Sequence, residues 1–193
     1  MYQNITNKFL NNKKPKSNNI TLAREILIND AFILVDNKRD GISFDWFSND
    51  FKQTKKCAKL LRKTIGGKII IMPTVKCFEG ISTCDFIWKR PNMNSFEKWD
   101  LKTVNGSTSR TLDNMIKGKK RQSDNFIFDI ILNTISKENA IKQIIHIFND
   151  PHSDWVNKIM LIDKKDILLV YEKRHHPAKA GWHLFFMYII LSY

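Results

Sequence analysis

The sequence predicts an α/β (α+β) domain, a mixed central sheet with flanking helices. Three observations predict it. Two apolar runs, Lys68-Ile-Ile-Ile-Met72 and Asn125-Phe-Ile-Phe-Asp-Ile-Ile131, read as strands. Amphipathic segments carry apolar residues at helical spacing between them. The resulting order is helix, strand, hairpin, helix, strand, helix, hairpin, which suits a sheet with helices on its faces.

The elements follow in turn. Residues 1–19, rich in Asn and Lys, read as a weakly ordered lead-in without an apolar signal core. Thr21 to Leu27 reads as a helical start and Ala31 to Val35 as a strand, with a turn cluster from Asp36 to Gly41. Ser48, Asn49 and Asp50 offer helix caps before Phe51 to Thr64. Cys57, Ala58, Leu60, Leu61 and Ile65 share one side of that helix, lysines and Arg62 occupy the rest, and Gly66-Gly67 ends it. The 68–72 strand stops at Pro73. Asp85 to Trp88 and Lys98 to Val104 are the next strands, with turn residues between them that make the pair a hairpin. Arg110 to Gly118 reads as a helix, Lys137 to Phe148 as a second one capped by Ser136, and Trp155 to Ile162 and Asp166 to Tyr171 as a closing strand pair turning at Asp163-Lys-Lys165.

Within this frame Asp100-Leu101-Lys102 stands out. A strand alternates its faces with period two, so Asp100 and Lys102 project to one side. Asp85, on the partner strand of the predicted hairpin, brings a second acid. Phe86, Ile87, Trp88, Trp99, Leu101 and Val104 flank the acids. Charges set so deep in apolar sequence are costly unless paired or metal-bound. Two acids and a lysine make a divalent-metal site with a cation beside it, which suits phosphodiester hydrolysis. Asp85 and Asp100 are the expected metal ligands, and Asp85, Asp100 and Lys102 the expected catalytic set. Lys102 orients the water or stabilises charge building on the phosphate. Thr103, Lys119, Lys120, Arg121 and Gln122 are the expected substrate contacts, with the basic run on backbone phosphates. Gln122 and Asn125 either fix the substrate or the groups around the metal, or are a pair of helix-to-strand turn residues, and the turn reading is favoured. Phe44, Trp46, Phe47, Trp88 and Trp99 either stack on bases or belong to the core, and core is favoured for Phe44, Trp88 and Trp99.

Length and charge fit this chemistry. The chain of 193 residues is 42% hydrophobic with a net charge of +13. Its pI is near 9.7 and its mean hydropathy is −0.35, so it is globular rather than disordered. The positive charge is spread over several segments and attracts polyanions. Cys57, Cys77 and Cys84 lack a C-x-x-C pair, so neither a zinc ribbon nor a disulfide framework is indicated. Trp182 to Tyr193 is apolar but too short to span a bilayer, and stable membrane insertion is not expected.

A resemblance adds to this reading. Lys55-Lys-Cys-Ala-Lys-Leu-Leu, Gly66-Gly-Lys-Ile-Ile-Ile-Met-Pro73, Gly80-Ile-Ser-Thr-Cys-Asp85-Phe-Ile-Trp, Trp99-Asp-Leu-Lys-Thr103, Gln122-Ser-Asp-Asn-Phe-Ile-Phe-Asp129 and the strand pair Ile159 to Tyr171 resemble the C-terminal tRNase domain of contact-dependent growth inhibition toxins, the CdiA C-terminal type. The acid, then acid-x-Lys core is similar to the PD-(D/E)xK nuclease superfamily. The resemblance implies a restriction-endonuclease-like fold and metal-dependent cleavage of RNA, usually tRNA, with Mg²⁺, Mn²⁺ or Zn²⁺. It implies a bacterial toxin or mobile-element-linked effector, delivered or secreted, acting in the cytoplasm and paired with an acidic immunity protein. It divides the chain into a lead-in (1–44), a nuclease domain (45–174) and an apolar tail (175–193). Three departures accompany it: Cys84 stands where the family has Pro, Thr74 follows Pro73 where the family has Glu, and the tail lies outside the pattern. Two other readings stay open on the residues. One is a metal-free RNase of the barnase, EndoU, colicin or RelE kind, leaning on Lys102, Thr103, Arg174, His175 and His176. The other is a basic nucleic-acid-binding protein whose catalytic site has decayed.

Overall fold

A computed structural model describes residues 2–4, 20–22, 25–28, 31–34, 42–43, 49–72, 74–75, 83–120, 122–130, 134–163 and 166–173. Eight strands form one sheet in the order β1 (Tyr2–Asn4), β12 (Asp166–Lys173), β11 (Lys158–Asp163), β10 (Asn125–Ile130), β9 (Glu97–Val104), β8 (Phe86–Lys89), β6 (Lys68–Ile71) and β2 (Ile20–Leu22). Two short antiparallel pairs accompany it: β3 (Glu25–Ile28) with β4 (Ala31–Leu34), and β5 (Ile42–Ser43) with β7 (Thr74–Val75). The sheet is mixed. β9, β10 and β11 run parallel, while the β8–β9 and β11–β12 pairs are antiparallel.

Helix α1 (Asn49–Thr64) lies on one face of the sheet. Its Cys57, Ala58 and Leu61, with Ile65 just beyond its end, are buried against Ile69, Phe86, Trp88, Trp99 and Ile127. Asp50 in its first turn and Arg62 and Lys63 in its last turn complement the helix dipole. Gly66 and Gly67, both at φ 92°, turn the chain from helix to strand. At that turn the Trp88 indole donates to the Gly66 carbonyl at 2.9 Å.

Helices α2 (Thr111–Ile116) and α3 (Lys137–Asn149) cover the opposite face. Each is the crossover of a parallel pair, α2 between β9 and β10 and α3 between β10 and β11. They bury Leu112, Ile116, Ile144 and Ile147 against Phe126, Phe128, Ile159 and Leu161. Each such side chain stabilises the fold by about 1.5–3 kcal/mol when fully removed from water. Gln143, 3% exposed, ties the two helices together. Its Oε1 accepts from the Leu112 amide at 3.0 Å and its Nε2 donates to the Thr108 carbonyl at 2.9 Å. Covered on both faces, β10 is buried along its whole length.

The mixed sheet, the β8–β9 hairpin, the helices at 49–64, 111–116 and 137–149 and the closing antiparallel pair agree with the sequence. Four expectations need correction. The helix expected over Thr21 to Leu27 is instead two strands, Ile20–Leu22 and Glu25–Ile28. The Ile-Thr-Leu and Glu-Ile-Leu-Ile runs favour extended backbone, and each run gains strand partners. The lead-in contributes an edge strand, Tyr2–Asn4, antiparallel to β12. The strand expected from Trp155 begins only at Lys158, because a 3-10 turn (Pro151–Ser153) and its exit occupy the residues before it. Asp85 precedes β8 instead of lying on it. Cys77, Phe44, Trp46, Phe47, Arg121, Arg174, His175, His176 and the 175–193 tail lie outside the described residues.

The helix-to-strand turn generates a prediction. A Cβ on Gly67 would lie 2.3 Å from the Lys89 carbonyl oxygen, whereas one on Gly118 (φ 75°) meets nothing within 4 Å. Gly67→Ala should therefore lose about 1–3 kcal/mol in chemical denaturation, and Gly118→Ala only about 1 kcal/mol. Equal losses would contradict the tight packing at Gly67.

Candidate active site

The β8–β9 pairing sets the site. Phe86 faces Trp99, Ile87 faces Lys98 and Trp88 faces Glu97. Trp99 and Leu101 turn toward α1 and its core, so Asp100 and Lys102 project to the opposite face. One further step of the same register brings Asp85 opposite Asp100. The ladder does not continue there. The Asp85 carboxylate, through Oδ2, accepts the Leu101 amide at 2.6 Å, in the place of a strand carbonyl. The Asp85 carbonyl accepts from the Met72 amide at 2.9 Å, which anchors the same residue to the end of β6. β9 runs on to Val104 with β10 on its other side, and the acids sit at the fork.

Both carboxyls are engaged there. Burial first, then the Asp100 charge and hydrogen bonding with it, hold the Asp85 carboxyl well above the usual carboxylate range, against the opposing pull of the Leu101 amide and Lys102. Asp100 is 0% exposed. Its Oδ1 accepts from Gln122 Nε2 at 3.1 Å, and Gln122 Nε2 also donates to the Thr83 carbonyl at 2.9 Å. Lys102 Nζ stands 2.5 Å from Asp100 Oδ2. It forms an ion pair by distance but lies off the hydrogen-bonding directions, so this buried oxygen accepts no aligned hydrogen bond. The Lys102 side chain is 18% exposed and reaches toward solvent from the buried pair.

This donor set fits a divalent cation. Two adjacent carboxylates repel when both are charged, and a cation between them relieves that repulsion. Mg²⁺ is held in many sites by one or two carboxylates, with water and substrate oxygens completing the shell. Among the described residues no group of three or more His, Cys, Asp and Glu gathers as a closed metal cage.

The other candidates are placed as follows. Gln122, expected at the substrate, spends its side chain on Asp100. Thr103 lies on the α1 face, opposite in register to Asp129 and away from Lys102. Lys119 is half-buried and Lys120 exposed after α2. Asn125 donates to the Lys98 carbonyl and to Asp124 Oδ1, both at 2.8 Å. Trp88 and Trp99 are core residues, fully buried with their rings 5.8 Å apart. Cys84 is buried beside Asp85, and burial pushes its thiol up to about 12, so it is inert at neutral pH. Burial likewise raises the Cys57 thiol.

One buried acid escaped the sequence reading. Asp129 is 4% exposed on β10 and accepts from Gln53 Nε2 of α1. Its signal was available, since an acid interrupts the otherwise apolar Phe126-Ile-Phe-Asp-Ile run. It faces α1, on the other side of the sheet from Asp100.

Comparison with known families matches residues 96–168 to the contact-dependent growth inhibition CdiA C-terminal domain. This is the family that the sequence resembles. The matched segment contains β9 to β11, the start of β12, Asp100, Lys102 and Gln122; Asp85 lies before it. Comparison with curated proteins and with solved structures returns no match.

The raised Asp85 carboxyl fixes a pH dependence. Between the ordinary Asp value near 3.9 and its raised folded-state value, the folded protein binds more protons than the unfolded chain. Asp85 therefore contributes stability at low pH that is lost as pH rises through this window. Denaturation midpoints at pH 5 and 7.5 should show the wild type losing stability relative to Asp85→Asn on going to the higher pH. Parallel profiles would refute the raised Asp85 carboxyl.

Proposed function

We propose that the chain is a metal-dependent endoribonuclease that cleaves RNA, tRNA foremost, as the toxin module of a contact-dependent growth inhibition or mobile-element system. The observation that carries this reading is the buried Asp85–Asp100 pair with Lys102 against it at the β8–β9 fork. The family match supports the toxin assignment. The order helix, three strands, helix, strand across α1, β6, β8, β9, α2 and β10 supports a restriction-endonuclease-like core.

A Mg²⁺, Mn²⁺ or Zn²⁺ ion, when bound, supplies Lewis acidity and lowers the pKa of its water. Asp85 and Asp100 would hold that ion through their carboxylate oxygens. The Leu101 amide holds Asp85, and Gln122 holds Asp100, so neither carboxylate has to reorganise during the reaction. Lys102 carries its ammonium from Asp100 to the solvent side, where it neutralises a non-bridging phosphate oxygen and fixes the attacking water. The +13 charge draws RNA to the surface. The same charge suits an acidic immunity protein, which would cover the site until the toxin acts in the cytoplasm of a target cell. Among the described residues no helix is long and apolar enough to cross a membrane.

Purified protein with total tRNA and Mg²⁺ should nick the tRNA, and excess EDTA should stop it. Asp100→Ala and Lys102→Ala should each lower the cleavage rate by about 10²-fold or more while leaving the circular dichroism spectrum unchanged. Wild-type rates in a folded Asp100→Ala protein would remove the site, and undiminished cleavage in EDTA would remove the metal.

A further inference from the structure

A second feature opens at the N-terminal ends of the three parallel strands. Lys98 on β9, Asn125 on β10 and Lys158 on β11 border a groove of about 360 Å³. That is within the size range of small-ligand sites. Gln122 lines the groove and also holds Asp100, so the groove adjoins the acid pair.

The chemistry of the groove is uneven. Its floor is rich in acceptors. Asp124 Oδ1 accepts from Asn125 Nδ2 at 2.8 Å and Asp124 Oδ2 from Asn157 Nδ2 at 2.5 Å. An ionised carboxylate offers about four lone-pair sites, so these two bonds leave acceptor capacity on both oxygens. Asn125 is 3% exposed, and its amide orientation is fixed because Nδ2 donates to two acceptors. Its Oδ1 is left buried with no donor. Beside this floor stands Phe96, 37% exposed and the exposed large hydrophobic residue among those described. Lys120, exposed to solvent, also lines the groove. Lys158 is committed elsewhere, to Glu97 at 2.8 Å and Glu172 at 3.1 Å.

An exposed ring, a cation and a floor with spare acceptors describe a nucleotide site in which the base brings the donors. We propose that this groove binds a guanine nucleotide next to the phosphate that is cut. Guanine carries two adjacent donors, N1–H and the N2 amino group, that a carboxylate accepts side by side. Adenine and cytosine pair their amino group with an adjacent ring acceptor, which meets repulsion at this floor, and uracil has one N–H between two carbonyls. Phe96 stacks on the base, Asp124 takes its donor edge, and Lys120 holds its phosphate. The link to cleavage rests on the nuclease reading above; the binding itself does not.

The test titrates ¹⁵N-labelled full-length protein in EDTA with GMP, AMP, CMP, UMP and inorganic phosphate, following the side-chain amides of Asn125, Gln122 and Asn157. GMP should bind at least about fivefold tighter than the other three nucleotides, Phe96→Ala should weaken it at least about fivefold, and Phe96→Trp should retain it. Equal affinity for the four nucleotides, the same shifts and affinity from phosphate alone, or an unaltered Phe96→Ala would each overturn the site. Guanine-selective binding by a protein that fails to cleave tRNA would leave this site standing and remove the nuclease reading. Cleavage without selective GMP binding would do the reverse.

Discussion

The arrangement depends on what happens where β8 meets β9. A regular antiparallel ladder would give the Leu101 amide a strand carbonyl, and the sheet would close over the acids. Instead the Asp85 carboxylate takes that amide at 2.6 Å. Such a hydrogen bond is worth about 0.5–1.5 kcal/mol net, and it fixes the carboxyl and ends the pairing at once. The backbone polar group stays satisfied, as a buried amide must, and two strands diverge without an orphaned donor. Lys102, 18% exposed, links the buried Asp100 to solvent.

The surroundings make that geometry stiff. Trp88 and Trp99 pack on the α1 face, directly behind the acids' strands, and the Trp88 indole is tied to the helix end at Gly66. Arg90 makes a two-pronged contact with Glu97 at 3.0 and 3.1 Å, which pins the hairpin at the far end of the same strand pair. Burial pushes the Glu97 carboxyl up, but bonding to Arg90 and the Lys158 charge outweigh it and leave the group below its usual range. The two ends of the β8–β9 pair thus use carboxylates in opposite ways. Glu97 is fully compensated and stays charged. Asp85 is under-compensated, and burial beside the Asp100 charge pushes its carboxyl well up. That contrast separates a structural acid from one poised for exchange.

Much of this was legible in the sequence because it is local. Period two placed Asp100 and Lys102 on one face, the turn residues after Trp88 made a hairpin, and helical spacing selected Cys57, Ala58, Leu61 and Ile65 for the core. What escaped was set by distant parts of the chain. Nothing near Asp85 shows that its side chain ends the ladder, because the amide it binds is sixteen residues on. Gln122 reads as a turn residue or as a support of the site, and only the α2 crossover shows that it binds Asp100 itself. Gln53 and Asp129 are 76 positions apart. The run from Ile20 to Ile28 misled for a different reason: its Leu, Ala, Arg and Glu read as helix formers, whereas its Ile and Thr suit strands, and pairing with β6 and β4 decides.

The groove at the strand ends belongs to the same class, assembled from three separate segments, and as a guanine site it would give a very basic chain a means to discriminate among RNAs. Lysines spread over the surface attract any polyanion, and their attraction carries no sequence information. Discrimination needs donors and acceptors held in fixed positions. The parallel strands supply this because their N-terminal ends are locked in register, and Asn157 and Asn125 then hold Asp124 from both sides. A carboxylate so placed in a +13 protein works against phosphate binding in general. It is tolerable only where the field of the neighbouring lysines compensates it, and useful only where a base offers two donors. Affinity for RNA would then reside in the diffuse charge, reactivity in the fork at Asp85 and Asp100, and selectivity in the one acidic floor that adjoins them through Gln122.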